Sequence, residues 1–158
     1  MDDRDLEWLR RCVELAGEAV DAGDFPFGSV LVDGAGRPRA EDRNREVSLA
    51  DATRHPEFEL ARWAAAHLTA AERRDATVYT SGEHCPMCSA AHAWVGLGRV
   101  VYVMSSAQLT DLLTALGVGP SPVRPLAITQ IAPGLTVEGP APELVDRVAA
   151  LHRRFRER

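Results

Sequence analysis

His55, Pro56 and Glu57, together with Cys85, Pro86, Met87 and Cys88, set one imidazole, two thiols and one carboxylate in two short runs. An imidazole and two thiolates are three donors of the kind that zinc prefers, one short of the four that a closed structural site uses. A carboxylate next to such an incomplete shell is a proton carrier for a water at the open position. Each run taken alone is ambiguous. Cys-x-x-Cys also occurs as half of a zinc ribbon or as a redox pair, and His-Pro-Glu also occurs as an ordinary helix start. No second Cys-x-x-Cys is present to complete a ribbon, and a redox pair has no use for the histidine.

The prolines say where these residues stand. A residue before proline is disfavoured from the right-handed helical region, whereas proline itself suits the first position of a helix. His55 and Cys85 are therefore expected just outside two helix N-termini, which bring partial positive charge toward the thiolates. Cys88, one turn after Cys85, faces the same way.

The elements that must position this set follow from periodicity. Leu6, Leu9, Val13, Ala16 and Val20 predict an amphipathic helix over 5–22. Residues 27–32 and 37–47 read as a hairpin, 57–68 as a helix, 76–80 as a strand, 86–95 as a helix, 99–103 as a strand and 107–116 as a helix. A glycine and proline cluster at 117–125 is a loop; 126–131 reads as a last strand and 142–156 as a terminal helix. This order predicts an α/β fold of three layers, α/β/α, with a five-stranded mixed sheet and helices on both faces. The 158 residues suffice for one domain, spanning 1–158.

Composition narrows the chemistry. All 18 basic residues are arginine, so no lysine amine is available for Schiff-base catalysis. A net charge of −5 argues against a nucleic-acid partner. Three cysteines, one of them (Cys12) inside an apolar helical pattern, suit a reducing compartment. No apolar run of membrane-spanning length and no apolar N-terminal leader is present, so a cytoplasmic protein is expected.

The two runs resemble the H-x-E and P-C-x-x-C signature of the cytidine deaminase-like zinc hydrolases, with His84 where that signature has its proline. Phe25-Pro26-Phe27-Gly28-Ser29-Val30-Leu31-Val32, Asp51 to Glu57 and Gly98 to Tyr102 extend the likeness over about residues 5–115. The chain looks closest to the nucleobase and tRNA-adenosine branch.

That resemblance implies His55, Cys85 and Cys88 as zinc ligands and Glu57 as proton shuttle. It also implies Asn44 as a hydrogen-bond partner of the substrate, hydrolytic release of ammonia from a small nucleobase-like ring, and a homodimer. Phe25, His84 and His92 are further candidates to line the substrate pocket; for His92 a hydrogen-bonded core position competes, and for Phe25 an apolar core position. Guanine, cytosine, isoguanine and triazine analogues all remain open as substrates. A tRNA adenosine deaminase and a non-catalytic zinc-stabilised binding protein are the alternatives.

Overall fold

The computed structural model describes residues 1–157; Arg158, the last of five arginines in the terminal stretch, lies outside them. Helix α1 (Asp3–Asp21) starts at a reciprocal cap, in which the Asp2 carboxylate accepts from the Asp5 N–H and the Asp5 carboxylate accepts from the Asp2 N–H. Its buried face carries Leu9, Cys12, Val13, Ala16 and Val20 at the expected spacing.

Strands β1 (Gly28–Val32) and β2 (Pro38–Arg43) form the antiparallel hairpin. The predicted second arm ends early, at Arg43, because the buried Asp24 carboxylate draws the N–H groups of Val47 and Ser48 into a loop. Helix α2 (Pro56–His67) is followed by a short α3 (Ala70–Asp75), strand β3 (Thr77–Gly82), helix α4 (Pro86–Val95) and strand β4 (Arg99–Met104). Helices α5 (Ser106–Ala115) and α6 (Ile128–Ile131), strand β5 (Val137–Glu138) and helix α7 (Pro142–Arg156) complete the chain.

The sheet order is β2-β1-β3-β4-β5, with β1 antiparallel to both neighbours and β3, β4 and β5 parallel. Five strands of mixed direction between helical layers are the α/β/α architecture expected. On one face α1 and α7 pack Leu9, Val13, Leu144 and Val148 against Val30, Val32, Val101 and Val103. On the other, α2 and α4 place Leu60, Ala61, Ala64 and Ala91 against Leu31 and Val78. Each fully buried valine or leucine of these two clusters contributes ~1.5–3 kcal/mol relative to exposure. Gly28 permits the closeness of α1 to the sheet: a Cβ there would come within 2.4 Å of Leu15 Cβ and 2.6 Å of the Cys12 carbonyl oxygen. Among the described residues no helix is long and apolar enough to cross a membrane.

The expected strand at 126–131 is a correction. Ile128 opens one helical turn, its N–H donating to Glu83 Oε1 at 2.9 Å, and the fifth strand lies further on, where Val137 and Glu138 pair with Val100 and Val101. A short apolar run does not by itself distinguish a strand from a buried helical turn.

Candidate active site

His55 and Cys85 each have extended backbone (φ −83°, ψ 136° and φ −64°, ψ 167°), and Pro56 and Pro86 open α2 and α4. The two helices lie side by side on one face of the sheet, so their N-termini converge. His55 Nδ1 stands 3.6 Å from Cys85 Sγ and 3.6 Å from Cys88 Sγ, and the two sulfurs are 3.5 Å apart.

Bond lengths of about 2.0–2.1 Å to nitrogen and 2.3 Å to sulfur make the edges of a zinc tetrahedron about 3.6 Å (N to S) and 3.8 Å (S to S). The donor triangle therefore has the size and the chemistry of a zinc site. No fourth protein donor completes that cluster among the described residues. Beside it stands Glu57, whose Oε2 lies 3.8 Å from Cys88 Sγ.

Charge is already unequal among the donors. The Cys85 thiol is drawn down to about 4 by its hydrogen bond with Cys88 and then by His55, against its burial. Cys88 is pushed well above the usual thiol range by Cys85 and by burial. His55 is raised in spite of burial, because Cys85 and Glu46 hold its proton by hydrogen bonds and Glu57 by charge.

Two supports hold the set. His55 Nε2 lies 3.2 Å from Glu46 Oε1, which also accepts from the Asn44 amide at 2.6 Å. A carboxylate on the far imidazole nitrogen directs Nδ1 toward the metal and strengthens it as a ligand. On the other side, Thr80 donates to Glu57 Oε1 at 2.9 Å, and Ser29, opposite Thr80 in the β1/β3 ladder, donates to Thr80 at 2.9 Å. Glu57 is 5% exposed, and burial raises its pKa. Such a carboxyl exchanges protons nearer to neutral pH than a solvated one.

Glu46→Gln is expected to weaken zinc binding by ~10–100-fold, a typical cost of losing such an outer hydrogen bond. Competition with a chromogenic chelator measures this directly, and zinc-saturated activity should fall much less than affinity.

The donors open onto a cleft of about 280 Å³. Phe27, His55, Glu57, Glu83 and Cys85 form its base, while Leu109, Leu113 and Val118, from α5 and the segment after it, form an apolar wall with Pro120 and Pro125. Glu83 accepts the N–H groups of Ser106 and Ile128, so it spends both oxygens on seating α5 and α6.

Four residues expected near a substrate are not among those lining this cleft. Phe25 packs on Phe155, with ring centroids 4.8 Å apart; Phe27 lines the cleft in its place. His84 is fully buried and meets His92 edge-on, 5.2 Å between centroids, away from the cleft lining. His92 sends Nε2 to the Gly98 carbonyl at 2.9 Å, the core position that competed for it. Asn44 is fully buried, with its amide committed to Glu46. Contact between Asn44 and a ring requires that hydrogen bond to open.

Sequence reasoning missed Glu46, Thr80, Ser29 and Phe27. Strand parity carries a signal for Thr80, which shares the α2 face with Val78. Glu46 sits in an irregular loop and has none.

The family model for the cytidine and deoxycytidylate deaminase zinc-binding region matches residues 2–104. A probable cytosine deaminase of Schizosaccharomyces pombe is 34% identical over 120 residues, 74% of this chain and 70% of that protein. Guanine deaminase of Bacillus subtilis is 41% identical over 110 residues, 68% of this chain and 67% of that protein. The solved guanine deaminase of Nitrosomonas europaea has the same fold, with a TM-score of 0.70 at 24% identity over 96% of this chain and 84% of that one. The match covers both ligand-bearing runs, and the donors are spaced like three corners of a zinc tetrahedron; the chain belongs to the cytidine and deoxycytidylate deaminase family and is a zinc-dependent hydrolase of that family.

Proposed function

We propose that the protein hydrolytically deaminates a free nucleobase or a close heterocyclic analogue, such as guanine, cytosine, isoguanine or an aminotriazine. The cleft carries this reading. It is just below the ~300–1,000 Å³ range of ligand sites, its far wall is mainly apolar, no arginine among the described residues lines it to hold a phosphate, and it ends on His55, Cys85 and Glu57. The cytosine and guanine deaminases among its relatives support the same class.

His55, Cys85 and Cys88 would hold a zinc ion, which would supply a water acidic enough to act as a nucleophile near neutral pH. Glu57 would take a proton from the attacking water and give it to the ring nitrogen adjacent to the carbon bearing the amino group. It then carries the second proton to the departing amine. One water enters, one ammonia leaves, and the carbon keeps the oxygen. Thr80, backed by Ser29, holds the Glu57 carboxylate in place through both transfers. Phe27 and the α5 wall keep the ring in a narrow slot and exclude bulk water. On this reading Asn44 reaches the ring edge by exchanging its bond to Glu46.

A homodimer, a cytoplasmic location and independence from nucleic acid belong to the same reading. The net charge of −5 supports the last of these, as does the pairing of Arg154 on the terminal helix with Asp21. Ammonia release from a panel of purines, pyrimidines, triazines and their nucleosides, with zinc measured on the same sample, tests the proposal. Turnover of a free base at about one zinc per chain is expected. Inosine formation in a tRNA anticodon arm with every free base inert overturns it, as does a zinc-loaded protein inert toward the whole panel.

A further inference from the structure

Phe27 is held from two sides, and only one of them belongs to the sheet. On the first side is Gly82, at the end of β3: a Cβ there would come 3.1 Å from Phe27 Cε1 and 3.3 Å from Cδ1, so the ring lies against bare backbone. On the second side is His152 of α7, whose imidazole meets the Phe27 ring at 74° with centroids 5.3 Å apart. His152 is 4% exposed, and its Nε2 has no hydrogen-bond partner among the described residues. Packing therefore holds this edge of the imidazole. Helix α7 also holds the other aromatic of the Phe25-Pro26-Phe27 entry to β1, through Phe155 on Phe25. A helix that starts 54 residues beyond the last metal donor thus grips the one phenylalanine that lines the cleft among the described residues.

We propose that His152 is a positioning residue: acting through Phe27, it sets the width of the slot in which the substrate ring lies beside Glu57. The proposal rests on the reading of this cleft as a nucleobase site. Burial keeps His152 neutral, its pKa lowered to about 4, so no charge is brought against the ring. An aromatic edge at the same place would hold Phe27 equally well, whereas a small side chain would let the ring swing away from the substrate. Small displacements of a positioning group are costly because the reacting atoms must stay near contact distance.

The test uses full-length, zinc-loaded His152→Ala, His152→Phe and Gly82→Ala proteins labelled with 4-fluorophenylalanine. The chain has four phenylalanines, so a Phe27→Leu protein identifies the Phe27 fluorine resonance. In His152→Ala that resonance should shift and broaden, and kcat/KM should fall ~10-fold, mainly through KM. His152→Phe should restore both to within ~2-fold of wild type. Gly82→Ala should move the same resonance and raise KM from the opposite side of the ring, so the proposal stays testable if His152→Ala fails to fold.

An unmoved Phe27 resonance in both His152→Ala and Gly82→Ala overturns the proposal, as does a KM rise equally large in His152→Phe. If the wild type turns over no base at all, the nucleobase reading fails, while the fluorine spectra still decide whether His152 holds Phe27.

Discussion

Glu57→Ala is expected to reduce deamination by ~10³–10⁴-fold while the protein keeps about one zinc per chain. A positioned acid and base each contribute ~10²–10⁴-fold, and one carboxylate serves both steps here, which places the loss at the upper end. Zinc is retained because the carboxylate is not one of the three donors. Stability should move the other way. Burial raises the Glu57 pKa, so the folded protein holds that proton more tightly than the unfolded chain does. The carboxyl therefore costs stability increasingly as pH rises above its unfolded value. Glu57→Gln, which keeps the shape and an acceptor for Thr80, should match the activity loss and, in zinc-stripped protein, raise the melting temperature at pH 8 relative to stripped wild type. Turnover, metal content and thermal melting on the same preparations check all three statements. A Glu57→Gln protein that melts well below wild type would show the carboxylate to be a structural element of the fold.

Loss of the metal should be nearly as severe for activity and far more severe for stability. Cys88 is fully buried between α2 and α4, and the three donors tie residues 55 and 85–88 together. A ligand present at ~1,000 times its dissociation constant stabilises the folded state by ~4 kcal/mol. For a chain of this size each kcal/mol moves the melting temperature by roughly 2–4 °C. Stripping zinc with a chelator is thus expected to lower the melting temperature by roughly 8–16 °C and abolish ammonia release, with both restored when zinc is returned. Cys88→Ser should behave like the stripped protein and gain little from added zinc. Deamination at an undiminished rate in a zinc-free sample would rule out the whole reading of the site.

The metal donors were legible in the sequence for a local reason. Proline after His55 and after Cys85 restricts the backbone of both residues, and the two runs supply all three donors once α2 and α4 are brought together. The terminal helix over 142–156 was equally legible, from Val148 and Leu151 at helical spacing and from Pro142 at its start. The fifth strand was not: two residues, Val137 and Glu138, are too few to show alternation. Helix α3 went unread although Thr69 and Glu72 form a reciprocal cap at its start, a signal that was available. Phe27 lines the cleft and Phe25 does not; both precede β1, so strand alternation does not separate them. Which of them enters the cleft depends on Gly82 and α7, neither of which is adjacent in the chain. His92 has the right helical phase to join Cys88, but its imidazole found a closer acceptor in the Gly98 carbonyl.

The hydroxyl pair Ser29 and Thr80 has a consequence for how the Glu57 carboxyl is set. These residues are directly opposite each other in the β1/β3 ladder, and the Thr80 hydroxyl is the side-chain donor that fixes Glu57 Oε1. If β1 slipped by one residue against β3, every β1 side chain would turn to the other face, presenting Gly28 or Val30 where Ser29 stands and leaving Thr80 without its donor. Strand alignment in this protein is therefore also an alignment of the proton path: the sheet works as a gauge, and an insertion or deletion in the turn at 33–37 that shifted β1 would detune the enzyme before it unfolded it.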